Sequence, residues 1–376
     1  MRAFYNTKAL PLLSLRNVTF PIDMPRPIQA HLDQNALANN LHIARRATRS
    51  RIMAAIKGDG YGHGLLLVAE ALADADGFAM LDIQDAVRLR EAGYKQTLLL
   101  LEGCFQAEDL KLAAEYDLTC VIHSSKQIAM LDAYPRREAL DVWLKINSGM
   151  NRLGFVPEAA GTAMGQLHAH SAVREITLMT HFACADEPRG VADQLGVFNT
   201  LANQYRVPRS LANSAALLRY PETHGDWVRP GIMLYGASPF LDSSAQQMGL
   251  RPAMTLHSEI IAIQELRTGD EVGYGALFRA ERSMRIGIVA CGYADGYPRH
   301  APNGTPILVD GQLTQIVGRV SMDMLSVDLS NVPHAGVGSR VVMWGTGMPV
   351  ETVARHAGTI SYELLCGLTK RVQVHS

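Results

Sequence analysis

The stretch Arg51-Ile-Met-Ala-Ala-Ile-Lys57-Gly-Asp-Gly-Tyr61-Gly-His63-Gly64 joins a short apolar run to a lysine that four glycines follow within seven residues. The run predicts a buried strand, and residues 65–75 have a helical pattern. A buried amine is costly unless it is paired or used chemically. Glycines let backbone amides approach an anion. The stretch therefore suits a lysine that binds an aldehyde cofactor carrying a phosphate, pyridoxal phosphate (PLP). A surface lysine in an ordinary βα turn fits the same spacing.

Eight short apolar runs alternate with segments that have the spacing of amphipathic helices. The runs are nearly continuous in apolar residues, as expected for parallel strands buried on both faces. This alternation predicts the α/β class, with an N-terminal (β/α)8 TIM-like barrel over residues 25–246. The predicted strands are 52–56, 78–81, 97–101, 118–122, 142–146, 176–179, 209–212 and 228–234. Polar residues at their C-terminal ends, where barrel enzymes place their sites, predict one convergent site.

Beyond residue 246 the pattern changes to strands rich in Val, Ile and Thr with turns between them, which predicts a mainly β domain over residues 247–376. Asp310-Gly311 predicts a tight hairpin turn. Two short helices are expected at 350–357 and 362–368. The predicted strands are 255–264, 284–291, 306–309, 314–320, 325–329, 340–343 and 370–375.

The bulk composition limits the classes of function. The chain has 376 residues and a net charge of −1, so nothing indicates a nucleic-acid or membrane partner. Five scattered cysteines without a Cys-x-x-Cys pattern favour free thiols in a reducing cytoplasm. No metal site is expected, because no cluster has zinc-ligand spacing and His168 and His170 point to different helix faces.

The N-terminal residues 1–24 are interpreted as an extension outside the two domains. Residues 9–15 follow Lys8 and weakly resemble a signal peptide, but Pro11 interrupts them and no small-x-small cleavage site follows closely. Export is therefore a minor alternative. Met24 is an alternative start of the protein.

The Lys57 stretch resembles the lysine signature of the alanine racemase family, in which the lysine holds PLP as a Schiff base. This chain has Gly58 and Gly60 where the family usually has Ala or Asn types, which we expect to loosen the loop. The resemblance extends in family order from about Pro25 to the C-terminus. Its further motifs are Lys145-Ile-Asn-Ser-Gly-Met-Asn-Arg152-Leu-Gly, Met179-Thr-His181-Phe-Ala, Arg229-Pro-Gly-Ile-Met-Leu-Tyr-Gly236, Gly292-Tyr293-Ala-Asp-Gly-Tyr-Pro298 and Gly318-Arg-Val-Ser-Met322-Asp323.

The resemblance implies a role for each matching residue. Lys57 and Tyr293 are the two catalytic bases, which act on opposite faces of the alanine Cα. Arg229 faces the pyridine nitrogen with support from His181, and Arg152 lies near the cofactor phenolate and the substrate carboxylate. Lys145 is expected to be carbamylated and to brace Arg152. The phosphate ligands are Tyr61, Ser214, the backbone around Gly231 and Ile232, and Tyr362.

The resemblance also implies a homodimer with shared active sites. In the family the tyrosine at position 293 reaches the barrel of the other subunit, together with the Met322 and Asp323 region. Duller interpretations of single residues remain. Tyr293 fits a turn tyrosine, Arg152 a solvated helix-start residue and His181 a hydrogen-bonded core residue. Ser214 fits a helix N-cap, and His123 is interpreted as structural.

Three functions are compatible with these residues. The first is an alanine racemase that supplies D-alanine for peptidoglycan, or a PLP racemase of broader specificity. The second is a PLP-dependent decarboxylase of related fold, but the longer glycine run and the cysteine–aspartate motif of those enzymes are missing. The third is a non-catalytic PLP-binding protein, whose barrel-only architecture lacks the β domain predicted here.

Overall fold

A closed barrel of eight parallel strands forms the first part of the molecule. The computed structural model describes residues 26–133 and 139–376, so the interpretations of the N-terminal extension concern residues outside these ranges. The eight strands pair in sequence, and the last strand pairs with the first through Val228 and Ile52. The barrel strands are β2 (Arg51–Ala55), β3 (Gly77–Met80), β4 (Thr97–Leu100), β5 (Thr119–Ile122), β6 (Leu140–Lys145), β7 (Val173–Met179), β8 (Arg209–Ser210) and β9 (Trp227–Val228). The predicted (β/α)8 barrel is confirmed.

Helices cover the outside of the barrel. The first of them, α1, begins at an N-cap, Asp33, whose carboxylate accepts a hydrogen bond from the Ala36 amide at 3.0 Å. The helices of this part are α1 (Gln34–Ala47), α3 (Leu65–Ala71), α4 (Ile83–Glu91), α5 (Ala107–Glu115), α6 (Ser125–Ala133), α7 (Pro157–Ala169), α8 (Ala192–Ala202) and α9 (Ser214–Arg219), whereas the short element α2 (Lys57–Tyr61) is a left-handed turn at the end of the barrel. No helix in the described ranges is both long and apolar enough to cross a membrane.

Inward-facing side chains fill the barrel. One buried cluster contains one residue from each of the strands β2 to β7 and β9: Met53, Ala79, Leu99, Val121, Trp143, Met179 and Trp227. This arrangement follows from the period of two along a strand, which sends every second side chain inward. Because the interior is a packed core, a ligand has to bind at an end of the barrel.

The C-terminal part is a mainly β domain, as predicted. Its strand order is β15-β14-β17-β10-β1-β18, with β13 paired to β10 and β16. The strands are β1 (Gln29–Leu32), β10 (Met254–Leu266), β13 (Met284–Val289), β14 (Pro306–Val309), β15 (Gln312–Gln315), β16 (Leu325–Asp328), β17 (Arg340–Trp344) and β18 (Gln373–His375). A separate ribbon pairs β11 (Glu271–Val272) with β12 (Phe278–Arg279). Helices α10 (Val350–His356) and α11 (Ser361–Cys366) complete the domain.

The predicted hairpin at Asp310-Gly311 is confirmed. It joins β14 to β15, and its residues have φ angles of 46° and 78°, the left-handed values of the turn type that suits a two-residue hairpin. Several predicted strands are wrong in extent: 209–212 is reduced to Arg209–Ser210, 370–375 is reduced to Gln373–His375, and two others differ as follows. The last barrel strand is two residues long, and Ile232–Tyr235 form a 3-10 helix instead. In the predicted strand 314–320, pairing as a strand ends at Gln315.

The first strand has a position that the sequence did not predict. β1 pairs with β10 and β18 in the C-terminal sheet, although it precedes the barrel in the chain. The sheet therefore contains segments from both ends of the described chain.

Candidate active site

A cavity of about 880 Å³ opens at the C-terminal ends of the barrel strands. This volume is in the range of small-molecule sites. Ten of the residues singled out from the sequence line it: Lys57, Tyr61, Lys145, Arg152, His181, Ser214, Arg229, Gly231, Ile232 and Tyr362. Tyr362 comes from α11, so the C-terminal domain of the same chain contributes a wall. The structure thus brings these ten residues together around one cavity at this end of the barrel.

The backbone after Lys57 forms one left-handed helical turn. Gly58, Asp59 and Gly60 have φ angles of 64°, 53° and 62°, and Gly60 donates a hydrogen bond to the Ile56 carbonyl at 2.9 Å. Glycine is the least strained residue at such angles, whereas other residues pay about 1–2 kcal/mol each. The Asp59 carboxylate offsets part of this strain by accepting a hydrogen bond from the Leu65 amide at 2.8 Å.

His63 supports the same turn from inside. It is fully buried, and its Nδ1 lies 2.8 Å from the Tyr61 carbonyl oxygen. Because a carbonyl only accepts, Nδ1 carries the proton and donates. Burial lowers the pKa of His63 to about 4. The imidazole is therefore neutral at physiological pH, and it fixes the carbonyl of Tyr61, another residue with a positive φ, 52°.

Two hydroxyl groups and a glycine form a small polar cradle beside Lys57. A methyl group on Gly231 would lie 2.5 Å from the Tyr61 hydroxyl oxygen, so the absence of a side chain there lets that hydroxyl approach the backbone. The Ser214 hydroxyl oxygen accepts a hydrogen bond from the Gly231 amide at 2.8 Å, which leaves its own proton free to donate. Burial raises the pKa of Tyr61, so the phenol stays protonated and remains a donor.

Arg229 is held firmly in the wall of the same cavity. It is buried, and its guanidinium donates to the Ser210 hydroxyl and to the Thr180 carbonyl, both at 2.6 Å. It also lies 3.3 Å from His181 Nδ1. Since arginine has no acceptor, Nδ1 of His181 must accept and Nε2 carries the proton. Burial and then the charge of Arg229 lower the pKa of His181, which keeps this imidazole neutral.

Lys57 and Lys145 share the cavity with the cationic Arg152 and Arg229. Burial and then the charge of Arg152 lower the pKa of Lys57. Burial, Arg229, Arg152 and Lys57 lower the pKa of Lys145 to about 8. Both lysines are therefore more often neutral than a free lysine, and a neutral amine is the form that attacks a carbonyl or accepts a proton.

Tyr293, Met322 and Asp323 lie elsewhere. They belong to the C-terminal domain and are not among the described residues that line the cavity. Tyr293 begins a 3-10 turn, Tyr293–Asp295, and 37% of its surface is exposed. Its amide donates to the Ser321 carbonyl at 3.0 Å, which fixes this turn against the Met322 segment. A single chain thus brings together the residues expected to hold the cofactor but not the second base.

Three acidic or thiol groups of the cavity wall were not singled out from the sequence: Glu102, Asp186 and Cys366. Glu102 lies two residues after the end of β4, so the rule about strand ends could have found it; Asp186 and Cys366 had no such signal. One detail differs from expectation. Asn213, not Ser214, caps α9, and its side chain accepts a hydrogen bond from the Ala216 amide at 3.0 Å. His123 is not among the lining residues, and its amide donates to the Gln127 side chain at 2.8 Å.

Family models cover most of the chain. The alanine racemase N-terminal domain matches residues 32–239, and the alanine racemase C-terminal domain matches residues 253–376. Among curated relatives, the alanine racemase of Nitrosospira multiformis is 62% identical over 354 residues, which is 93% of this chain and 99% of the relative. The alanine racemase of Nitrosomonas eutropha is 55% identical over 355 residues, which is 93% of this chain and 98% of the relative.

Solved structures show the same similarity. The biosynthetic alanine racemase from Pseudomonas aeruginosa superposes with a TM-score of 0.91 at 47% identity, over 93% of this chain and 99% of that chain. The alanine racemase from Acinetobacter baumannii superposes with a TM-score of 0.88 at 38% identity, again over 93% and 99%. Both the barrel and the C-terminal domain therefore have counterparts in these structures.

Proposed function

This chain belongs to the alanine racemase family, an isomerase family, and on that premise we propose how it interconverts L-alanine and D-alanine. Lys57 binds PLP and serves as one base, and Tyr293 serves as the other from the partner subunit of a homodimer. The observation that carries the proposal is the convergence of ten family-matched residues on one cavity around Lys57. The C-terminal domain argues against a barrel-only PLP-binding protein.

The hydrogen-bond donors that line the cavity suit the phosphate group of PLP. The Tyr61 and Ser214 hydroxyls, the Gly231 backbone and Tyr362 are adequate partners for a phosphate, because hydroxyl and amide donors suffice for a dianion. Burial raises the pKa of Tyr362, so this phenol also stays a donor. When bound, PLP supplies an electron sink that stabilises negative charge at the Cα of an attached amino acid.

Arg229 suits a position at the pyridine nitrogen. Its pKa is lowered by burial only to about 10, so the guanidinium stays charged and donates without giving up its proton at neutral pH. Arg229 would donate a hydrogen bond to the ring nitrogen of PLP without protonating it, and would thereby leave the cofactor a weaker electron sink. We infer that this weakness limits side reactions such as transamination and favours return of the proton to Cα.

The two-base arrangement follows from the stereochemistry. Inversion needs a proton taken from one face of Cα and another delivered to the opposite face, which two bases on opposite sides achieve directly. The lowered pKa of Lys57 increases its neutral fraction and equips it to accept the proton on one face. Tyr293 is partly exposed on the other domain, which suits presentation to a second subunit with Met322 and Asp323 beside it.

The role of Lys57 is tested by Lys57→Ala, with Lys111→Ala on the exposed face of α5 as the matched control. We expect the Lys57 variant to lose the visible absorbance of lysine-bound PLP and to racemise at least about 10³-fold more slowly. The control should keep both properties. Full racemisation by the Lys57 variant would refute the assignment.

We further propose that Lys145 is carbamylated and braces Arg152. CO₂ adds only to a neutral amine, and the pKa of Lys145 near 8 makes a sizeable neutral fraction available at physiological pH. The cavity holds four cationic side chains, and a carbamate on Lys145 replaces one of these positive charges with a negative charge. Native mass spectrometry should show the mass of one CO₂ per chain, increasing with pH across the range near 8 and absent in Lys145→Ala. A bare lysine in bicarbonate buffer above that pH would count against the carbamate.

We propose that this protein is a cytoplasmic enzyme that supplies D-alanine for peptidoglycan. The substrate range is tested by a racemisation screen over the common amino acids, read by chiral chromatography. Alanine should give the largest kcat/KM. Equal rates for serine and other small amino acids would indicate a broad-specificity racemase instead, and CO₂ release from L-lysine or L-ornithine would indicate a decarboxylase.

A further inference from the structure

The carboxylate of Asp295 is fully buried two residues after Tyr293. Its Oδ2 accepts a hydrogen bond from the Gly292 amide at 2.9 Å, which closes the turn that carries Tyr293. An aspartate that folds back onto the amide at the start of its own turn fixes the local backbone much as a helix cap does. The conformation of the residues between Gly292 and Asp295 therefore depends on where this carboxylate is held.

Two arginines from distant parts of the chain hold the carboxylate. Arg26 donates to both of its oxygens, with Nη1 at 2.9 Å from Oδ1 and Nη2 at 3.2 Å from Oδ2. Arg371 Nε lies 3.2 Å from Oδ1. A two-pronged arginine–carboxylate pair sets orientation as well as charge. Burial of Asp295 without these partners would be strongly unfavourable.

The same arginines also hold the segment next to the turn. Arg26 donates to the Asp323 carbonyl at 2.8 Å, and Arg371 pairs with the Asp323 carboxylate at 2.7 Å. The Thr369 hydroxyl donates to the Ala294 carbonyl at 2.8 Å. The turn is thus clamped on several sides, while Tyr293 itself remains partly exposed. These contacts hold the backbone of the turn in place and leave the Tyr293 side chain exposed.

We propose that Asp295 is a positioning residue for Tyr293, and that Arg26 and Arg371 act through it. This inference rests on the proposed role of Tyr293 as the second base. Asp295 is buried behind the turn and lies outside the cavity lining, so it acts on the reaction through the placement of the phenol. A displacement of about 1 Å at a reacting group can cost about 10²-fold in rate.

The proposal predicts an effect on one face of the substrate. Each alanine enantiomer loses its Cα hydrogen to one of the two bases, so a misplaced Tyr293 impairs removal from one enantiomer only. The other enantiomer still gives its hydrogen to Lys57, and the same amine can return deuterium when the solvent is D₂O. A defect that merely weakens the fold would slow both enantiomers alike.

The experiment compares Tyr293→Phe, Asp295→Asn and Arg371→Gln in the PLP-loaded enzyme. NMR follows exchange of the Cα hydrogen in D₂O, started separately from L- and D-alanine. We expect Asp295→Asn to slow exchange from one enantiomer about 10- to 100-fold and to leave the other within about twofold. The affected enantiomer should be the one that Tyr293→Phe affects. Arg371→Gln should slow exchange from the same enantiomer by a smaller factor. If Asp295→Asn does not fold, the result for Arg371→Gln tests the positioning role instead.

Asp141→Asn is the matched control. Asp141 also forms a two-pronged pair, with Arg174 Nε and Nη2 both at 2.8 Å, but it lies on β6 far from the Tyr293 turn in sequence and outside the cavity lining. This variant should exchange both enantiomers at wild-type rates. Amide hydrogen exchange of the protein without PLP provides a second readout. The peptide over residues 291–297 should exchange faster in Asp295→Asn and unchanged in Asp141→Asn.

Suppose that Tyr293→Phe slows exchange from one enantiomer only. The positioning role is then overturned if Asp295→Asn or Arg371→Gln slows exchange from both enantiomers equally, or slows neither. If Tyr293→Phe itself shows no such selectivity, the proposed second base is wrong, which is a separate failure. The two hypotheses are therefore distinguishable in one set of measurements.

Discussion

Two glycine-rich turns carry the two proposed bases, and they are built in different ways. The Lys57 turn, residues 57–64, lies at the barrel end, and its lysine faces a cavity whose walls come from both domains of the same chain. The Tyr293 turn, residues 292–296, lies in the C-terminal domain with its tyrosine partly exposed and outside that cavity. In our proposal, one chain forms the cofactor half of the site by itself. The other half, in our proposal, is completed by a second subunit.

The two turns are also stabilised by different interactions. The Lys57 turn depends on backbone shape, with left-handed φ angles at every residue from Gly58 to Gly62 and a neutral histidine beneath them. The Tyr293 turn depends on charge, with a buried carboxylate between two arginines. Steric change should therefore damage the first turn most, and loss of charge the second.

Subunit mixing tests most directly whether the two turns of one active site come from different chains. Lys57→Ala and Tyr293→Phe should each reduce racemisation by about 10³-fold. If the two bases come from different chains, the hybrid dimer of these variants contains one intact site. A fully exchanged equimolar mixture should then regain about a quarter of wild-type activity, because half of the dimers are hybrids with one working site of two.

The matched control mixes Lys57→Ala with the double variant Lys57→Ala, Tyr293→Phe, which forms no intact site in any combination. Hybrid formation is verified by native mass spectrometry with one chain carrying a mass label. Verified hybrids without recovered activity would contradict a site shared between chains.

The shape dependence of the Lys57 turn is tested by two glycine substitutions. A methyl group on Gly62 (φ 77°) would lie 2.2 Å from the Leu365 carbonyl oxygen, whereas one on Gly58 (φ 64°) meets nothing nearer than the Cys366 sulfur at 3.8 Å. Both alanines bear the left-handed strain, about 1–2 kcal/mol, and only Gly62→Ala adds a clash with backbone. Urea unfolding should show Gly62→Ala to be destabilised by about 3 kcal/mol or more. Equal costs for both variants would show that the contact with α11 does not constrain the turn.

Acid should weaken the Lys57 turn through His63. The unfolded chain binds a proton at this group below its usual pKa of 6.5, but burial lowers the folded pKa to about 4. Between these values the unfolded state binds more protons, so stability falls as pH falls. The contribution is fully present above pH 6.5 and amounts to about 3 kcal/mol.

The substitution His63→Asn should therefore make the free energy of unfolding less dependent on pH between 6.5 and 4. The matched substitution His168→Asn, at an exposed residue of α7, controls for loss of a histidine as such. A wild-type pH slope in the His63→Asn variant would show that the buried imidazole is not responsible.

Local rules predicted the barrel, and together with the family resemblance they named ten of the residues that line the cavity. Parallel strands buried on both faces have runs of apolar residues, and the barrel aligns their C-terminal ends, so Lys57 and Arg229 were expected at one site. Lys145 was assigned by the family resemblance. The rule about strand ends extends to Glu102, which follows β4. Cys366 could not be found in this way, since it reaches the cavity from a helix of the other domain.

The sequence by itself determined the alternation of strands and helices, the hairpin at Asp310-Gly311 and the placement of Lys57 between an apolar run and a glycine-rich turn. Each of these features depends on neighbours along the chain. Tertiary structure alone decided that β1 joins the C-terminal sheet, that Asn213 rather than Ser214 caps α9, and that Arg26 and Arg371 meet at Asp295. These contacts join residues that are far apart in the chain, as Arg26 and Asp295 are, or depend on competing local geometries. Their free energy is set by burial and packing in three dimensions, which leave no periodic pattern in the chain.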